Sequence, residues 1–186
     1  MKHIKGILII IGALIAVIVM VVVSVNSVPA NAIAYEEKVT EAKSAIKIQE
    51  KRRADLLPTL ADAIKSYDKH EYETLVNVIK ARKSQDGTIS DETINEINEI
   101  INVVLEKYPE LKSQENYKEF MKESAITENK IAETREAYNK TVSRYNTYVR
   151  NPIRKFFLSL TSYEIVEFKK LDYNVSEDAP TNLFDK

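Results

Sequence analysis

The pattern of apolar and polar positions divides the chain into two parts. Residues 6–23 form an unbroken run of eighteen apolar residues close to the N-terminus, whereas charged residues are concentrated after position 30. With a rise of about 1.5 Å per residue, a helix of this length spans about 27 Å, close to the thickness of the hydrocarbon core of a bilayer. The pattern therefore predicts a transmembrane helix at about residues 6–25, within an N-terminal membrane anchor of residues 1–30.

A signal peptide is the alternative interpretation of this segment. Lys2, His3 and Lys5 precede the apolar run, and the tripeptide Ala30-Asn31-Ala32 has the small residues typical of a signal-peptidase site. The apolar run is longer than the about 7 to 15 residues usual in a signal peptide, which favours a retained anchor. Cleavage near Ala32 would instead release a secreted helical domain.

Basic residues near the ends of the apolar run bear on its orientation. Lys2 and Lys5 lie close to one end, while the first basic residues after the other end are Lys38 and Lys43. Because lysines close to a membrane span favour the cytoplasmic side, this balance favours an N-terminus inside and a domain outside.

The segment from Tyr35 to Lys83 has the three- and four-residue apolar spacing of a helix. Its single proline, Pro58, either kinks one long helix or begins a second one, for which Asp55 is a candidate cap. Gly87 then predicts a turn. The apolar positions of the segment are Val39, Ala42, Ile46, Leu56, Leu60, Ile64, Tyr67, Leu75, Val78 and Ile79.

Two further helices are predicted, at about residues 90–107 and 113–150. Ser90 and Thr93 are candidate caps of the first. The apolar stripes are Ile94, Ile97, Ile101, Val104 and Leu105 on the first, and Tyr117, Phe120, Met121, Ile131, Tyr138, Val142, Tyr145 and Val149 on the second. Antiparallel packing would bury every stripe. The sequence thus predicts an all-α fold, in which the N-terminal transmembrane helix is followed by an elongated antiparallel bundle of three to four long helices in residues 31–155.

Residues 156–186 change in character and are predicted to be a C-terminal extension that is first partly packed and then, beyond Glu177, mobile. The extension begins with an apolar cluster that follows two basic residues, Arg154 and Lys155. The cluster consists of Phe156, Phe157, Leu158 and Leu160. It either covers the open end of the bundle core or lies, with the basic residues, on the membrane surface or a partner.

Composition excludes several kinds of chemistry. The chain has no cysteine, and its two histidines, His3 and His70, are too few for a zinc site within one chain. Its glycines, Gly6, Gly12 and Gly87, do not form a phosphate-binding loop. The net charge of −1 favours no binding to nucleic acid. We therefore expect no enzyme activity, no cofactor and no metal, and we interpret His70 as a surface or interhelical residue.

Polar residues interrupt the apolar spacing on both predicted long helices. Those on the second helix are separated by seven and four residues, which places them along one edge. If the two helices pack antiparallel, an arginine–carboxylate layer would cross the bundle and fix its register; the alternative is a solvated charged face. The candidate residues of this polar layer are Gln49, Arg52, Arg53, Asp55, Glu128, Arg135 and Asn139.

Two blocks of residues carry a family resemblance. The first contains QEKRRADLLPTL at residues 49–60 and continues through Tyr67 and His70 to Leu75. The second contains YPEL, TENKI and two Tyr-Asn pairs, at residues 108–111, 127–131, 138–139 and 145–146. In their order and spacing, these blocks resemble the signature of the LemA family of bacterial membrane proteins.

The resemblance covers about residues 34–151 and implies a mostly α-helical domain of long antiparallel helices behind a single membrane span. It implies no established biochemical activity. Descriptions of the family often place the domain in the cytoplasm, opposite to the orientation that the lysine balance favours. This chain has Asn151-Pro152 where the family usually has Phe-Pro, and Lys43 where it usually has a tryptophan.

These observations predict a non-catalytic, membrane-anchored helical interaction or scaffold protein of the bacterial cell envelope. Its expected partners are the lipid bilayer, through residues 6–25, and other proteins or further copies of the chain, because long apolar helices offer grooves to partner helices. Two alternatives stay open. One is a regulatory or accessory subunit of a membrane enzyme such as a protease or a signalling protein, and the other is the secreted domain.

Overall fold

The computed structural model describes residues 2–172, and within that range the chain is all-α, with five α-helices, one 3₁₀-helix and no β-strand. The α-helices are α1 (Lys2–Lys65), α2 (Lys69–Arg82), α3 (Asp91–Lys107), α4 (Glu115–Arg150) and α5 (Pro152–Ser159), and the 3₁₀-helix, Pro109–Ser113, precedes α4. The predicted all-α fold with an N-terminal apolar helix is confirmed. Of the predicted long helices, α1 and α4 have 64 and 36 residues, whereas α2 and α3 have 14 and 17.

The chain forms two compact units. One consists of residues 34–141, and the other combines residues 1–33 with residues 142–186. The first is called the central unit below, and the second is called the terminal unit. Helices α1 and α4 contribute residues to both.

The N-terminal part of α1 is the candidate membrane span. Among the described residues, α1 is the one helix that is both long and apolar enough to cross a membrane, and none of the residues in its apolar window is buried by the protein. Side chains become half-buried only at Ser24 and Val25, and Ala32 is fully buried. A helix that is apolar all round needs an apolar environment. A bilayer would supply that environment along residues 6–23.

Helix α1 continues through Pro58, so this proline does not begin a second helix and Asp55 is not its cap. The helix persists because its flanking apolar residues are packed: Leu57, Leu60 and Ile64 are 3%, 0% and 0% exposed. This tertiary packing outweighs the local preference of proline.

The break in the first helical segment occurs ten residues after Pro58, at Asp68. Its side chain caps α2 by accepting hydrogen bonds from the backbone N–H groups of His70 at 3.0 Å and Glu71 at 3.2 Å. The next turn is at Gly87, as predicted, where φ is +84°, in the region that favours glycine. Ser90 is confirmed as the cap of α3, since its Oγ accepts from the N–H of Thr93.

The core of the central unit is built from α1, α2, α3, the 3₁₀-helix and the first part of α4. Its fully buried side chains come mainly from the apolar stripes that the sequence predicts. They include Leu60, Ile64, Leu75, Ile89, Ile97, Val104 and Leu111, each at most 1% exposed.

In the terminal unit, the segment 163–172, which has no regular secondary structure, packs on α4 through Tyr145, which is fully buried. The Tyr145 hydroxyl accepts a hydrogen bond from the backbone N–H of Val166 at 3.0 Å and lies 3.1 Å from the hydroxyl of Tyr163. The Tyr145 ring meets that of Phe168 edge to face, with centroids 5.0 Å apart. Asn146 donates from Nδ2 to the Phe168 carbonyl at 3.1 Å. The second Tyr-Asn pair therefore attaches this segment to α4.

Helix α5 divides the apolar cluster of the C-terminal extension. Leu158 is 1% exposed and packs inward, while Phe156 and Leu160 are 59% and 56% exposed. Asn151 caps the helix, because its Oδ1 accepts from the N–H of Arg154 at 3.2 Å. The expected mobile stretch beyond Glu177 lies outside the described residues.

We predict that Tyr145→Phe loosens the segment 163–172, because the change removes the acceptor of the Val166 N–H. Stability should fall by about 1 kcal/mol, the usual contribution of a hydrogen bond. Hydrogen exchange of the Val166 amide in the full chain in detergent measures the effect, and we expect faster exchange. Tyr117→Phe, which removes the hydroxyl of another buried tyrosine, is the control. Unchanged exchange at Val166 would contradict the prediction.

Candidate functional site

A layer of charged side chains crosses the central unit and joins α1, α3 and α4. Its centre is Arg53 on α1, whose side chain is 6% exposed. Arg53 donates from Nη2 to Oδ1 of Asp91 at 2.8 Å and to the carbonyl of Ile89 at 2.9 Å, and from Nη1 to Oε1 of Glu128 at 3.4 Å. A buried guanidinium group needs such partners, because an unpaired buried charge is strongly unfavourable.

A second arginine, Arg135 on α4, completes the layer. Its Nη2 donates to Oε1 of Glu50 on α1 at 2.8 Å, and its Nη1 lies 3.0 Å from Oδ2 of Asp91. One carboxylate at the start of α3 thus binds an arginine of α1 and an arginine of α4. The pairs Glu50–Arg135 and Arg53–Glu128 run in opposite order along the two helices, so α1 and α4 are antiparallel in this unit.

The pKa values of Asp91 and Arg135 are shifted in the directions that favour their charged forms. Burial by itself would raise the pKa of Asp91, but hydrogen bonds from Arg135 and Arg53 outweigh burial and lower that pKa below its usual value. Burial would likewise lower the pKa of Arg135, and the hydrogen bonds to Asp91 and Glu50 raise it instead. A carboxylate and a guanidinium group whose charged forms are both favoured are suited to holding helices together rather than to transferring protons.

The structure brings together three of the seven candidate residues of the predicted polar layer, Arg53, Glu128 and Arg135. Arg52 points elsewhere and pairs with Glu123 at 2.9 Å, with about half of its side chain exposed. Asp55 is also outside the layer, on the exposed surface, where it pairs with Lys83 at 3.4 Å.

The remaining two candidates are half-buried. Gln49 lies one turn before Arg53, and its Oε1 is buried with no hydrogen-bond partner among the described residues. Asn139 lies one turn after Arg135 and makes contacts of its own.

Two members of the layer, Glu50 and Asp91, were not among the candidates. Glu50 precedes Arg53 by three residues, a spacing that places both on one face of a helix. Asp91 follows the cap Ser90 and reads, in sequence, as a favourable acidic residue in a first helical turn. Asp91 reaches two arginines because the first turn of α3 lies between α1 and α4. This position depends on tertiary packing, for which the sequence contains no local signal.

A second polar cluster lies at the junction of α1 and α2. The Asp68 side chain is 9% exposed, and in addition to capping α2 it accepts from Nζ of Lys107 at 2.6 Å and from the hydroxyl of Tyr108 at 3.4 Å. The hydrogen bond from Lys107, supported by the Glu71 N–H, lowers the pKa of Asp68 to about 2. This carboxylate therefore ties the beginning of α2 to the end of α3.

Neither cluster has the composition of a metal centre. The described residues contain no group of three or more His, Asp or Glu side chains placed to hold a metal ion. The side chain of His70 is exposed, on the first turn of α2. Within the described part, both clusters pair acids with bases, and their geometry is that of ion pairs between helices.

The fold and this layer define a class of protein: a helical domain that contains an arginine layer between its helices and follows a candidate membrane span. The chain belongs to the LemA family, whose model matches residues 42–184. It is similar to the Protein LemA of Metamycoplasma hominis, with 27% identity over 156 residues that cover 76% of this chain and 71% of that protein. The LemA family is not a known enzyme family.

We predict that Arg53→Met lowers the free energy of unfolding by about 2 to 3 kcal/mol, because it leaves the Ile89 carbonyl and Asp91 without their buried donor. Arg52→Met is a matched control: it removes the neighbouring arginine from an exposed pair and should cost less than about 1 kcal/mol. Thermal unfolding of the full chain in detergent, followed by circular dichroism, compares the two. Equal losses would show that the layer is not a buried structural element.

We also predict a pH-dependent effect of Asp68→Asn. Because the pKa of Asp68 falls from 3.8 to about 2 on folding, its carboxylate stabilises the protein above about pH 4, and this contribution is lost as pH falls towards 2. The difference in unfolding midpoint between the two proteins should therefore be largest near neutral pH and shrink between pH 4 and 2. Asp62→Asn, at an exposed site on α1, is the control and should show a small difference throughout. A difference for Asp68→Asn that is independent of pH would contradict the prediction.

Proposed function

We propose that this protein is a non-catalytic, membrane-anchored interaction protein of the bacterial cell envelope, in which residues 6–25 hold the helical domain at the bilayer. Two findings support this proposal: the candidate membrane span in α1 and membership of a family that is not a known enzyme family. The observation that carries it furthest is a groove on the central unit.

The groove lies between the second half of α1 and α2 and has a volume of about 500 Å³. Its walls are largely apolar: Pro58 and Ala61 come from α1, and Tyr72, Val76 and Ile79 come from α2. The volume falls within the range of protein binding sites. An open apolar groove between two helices is the kind of surface on which an amphipathic helix docks.

The rim of the groove indicates the chemistry of its partner. Lys80 is exposed on α2 beside the groove, and Lys83, which pairs with Asp55 at 3.4 Å, follows one turn later, while the acidic Asp62 lies on the α1 side. These lysines complement acidic residues, and electrostatic complementarity of this kind selects partners and speeds association. The proposed occupant is therefore an amphipathic helix of another envelope protein with acidic residues along the edge of its apolar face.

The nature of the partner separates the scaffold proposal from its alternatives. A membrane protease or signalling protein would make this chain a regulatory or accessory subunit, and a second copy of the chain would make it self-associating.

Determination of the mature N-terminus tests retention of the anchor, since a first residue of Ile33 would indicate a secreted domain. Labelling of an introduced cysteine by a membrane-impermeant maleimide decides which side of the membrane carries the domain.

We predict site-specific crosslinking through the groove. A photo-crosslinking amino acid at position 80 of the membrane-embedded full chain should give one recurring protein adduct, identified by mass spectrometry. Position 118, an exposed lysine on α4, is the matched control and should not give it. Lys83→Glu should reduce the adduct at position 80 several-fold, because it reverses a charge at the rim.

Three outcomes would contradict the proposed partner. The same products at positions 80 and 118 would indicate non-specific proximity. An adduct that is insensitive to Lys83→Glu would contradict the acidic helix, and an adduct between two copies of the chain would replace it with self-association.

A further inference from the structure

Helix α5 exposes an apolar face that no described part of its unit covers. Ile153, Phe156 and Leu160 are 70%, 59% and 56% exposed. They are spaced by three and four residues, so they lie on one side of the helix, whereas Leu158, 1% exposed, faces the opposite way. Helix α5 therefore has two apolar sides: one packs inward and the other faces outward.

Basic residues flank the exposed face. Given the 100° that separates successive residues in a helix, Arg154 and Lys155 lie about 130° to either side of the centre of this face, nearer to Leu158, so only their long side chains can extend towards its borders. The surrounding stretch, residues 142–163, contains the four basic residues Arg144, Arg150, Arg154 and Lys155 and no acidic residue. An apolar face bordered by basic side chains complements an anionic lipid surface, on which basic residues bind headgroups and apolar residues enter the acyl boundary.

The structure places α5 at the level where the predicted span ends. The guanidinium carbon of Arg154 lies 4.3 Å from the centre of the Tyr148 ring, and the Tyr148 hydroxyl donates to the carbonyl of Val28 at 3.1 Å. Val28 is three residues beyond Val25, a rise of about 4.5 Å along the helix. All these residues belong to the terminal unit. The headgroup region of a bilayer, about 5 to 8 Å thick on each side, lies at this height above the hydrocarbon core.

We infer that α5 is an interfacial helix: Ile153, Phe156 and Leu160 enter the boundary between headgroups and acyl chains of a membrane that contains anionic lipid, and Arg154 and Lys155 bind its headgroups. This lipid-binding surface is additional to the membrane span and goes beyond the proposed interaction role. It rests on the proposal that residues 6–25 cross the bilayer. A protein partner on the same face is the competing occupant, and the experiment below separates the two.

The chain has no cysteine, so a single introduced cysteine can be labelled specifically. We would place an environment-sensitive fluorophore on Phe156→Cys in the full chain, reconstituted in nanodiscs of phosphatidylcholine with or without phosphatidylglycerol. With phosphatidylglycerol, the emission should shift to the blue and be quenched by lipids that carry a nitroxide near the headgroup. Met121→Cys, at a site on α4 that is 48% exposed, is the control and should show neither change.

Charge provides the second measurement. Lys155→Gln in the Phe156→Cys background should lower the ratio of docked to undocked α5 about fivefold in anionic nanodiscs, the effect of one basic residue near a charged membrane. Lys118→Gln removes an equivalent exposed charge from α4 and should leave the ratio unchanged. High salt should weaken docking in the same direction as Lys155→Gln, because salt screens the interaction.

Several results would overturn the inference. They are equal quenching with and without phosphatidylglycerol, no quenching in either nanodisc, and a label that is shielded only in native membranes that contain other proteins, which would assign the face to a protein partner. A chain that does not incorporate into nanodiscs at all would contradict the span itself, so failure of the anchor and failure of α5 are distinguishable.

Discussion

A buried guanidinium charge is stable only where carboxylates and carbonyl groups surround it, and Arg53 imposes this requirement on the central unit. Its partners come from α3 and α4 as well as from the turn before α3. A shift of one turn along α4 would separate Glu128 from Arg53 and Arg135 from Glu50 at the same time. The apolar stripes determine that these helices pack together, but apolar contacts tolerate such shifts better than ion pairs do. We therefore expect the arginine layer to favour the observed register of α1 and α4 over one shifted by a turn.

Features formed by residues that are close in the sequence could be predicted, whereas contacts between residues far apart in the sequence could not. The cap Ser90, the turn at Gly87 and most of the apolar stripes are local features, and the structure has them where the sequence indicated, although Met121, assigned to the stripe of α4, is 48% exposed. Pro58 shows the limit of local reasoning, because packing of the residues around it sustains a helix that proline alone disfavours. Asp68 could not be identified as the junction, since two of its partners, Lys107 and Tyr108, are about forty residues away in sequence.

The candidate layer was predicted in part for the same reason. Glu128 and Arg135 were candidates because their separation of seven residues places them on one edge of a helix, and Arg53 was a candidate because it interrupts the apolar spacing of α1. Arg52 was wrongly grouped with Arg53, although successive residues point about 100° apart and only one of them faces the core. The LemA family membership rests on whole blocks of sequence and is insensitive to such details. Family signatures thus identify the fold more securely than they distinguish the buried member of an Arg-Arg pair.

The exposure of α1 before Ser24 has a practical consequence for work on the isolated chain. No residue in the apolar window of α1 is buried by the rest of the protein. In water, this exposed apolar surface would therefore associate with the same segment of another copy of the chain. Aggregates formed without lipid or detergent would then result from association of the apolar segments, and they would give no measure of self-association of the helical domain. If residues 6–25 cross a bilayer as proposed, the stoichiometry of the native protein has to be measured with these residues in a bilayer-like solvent.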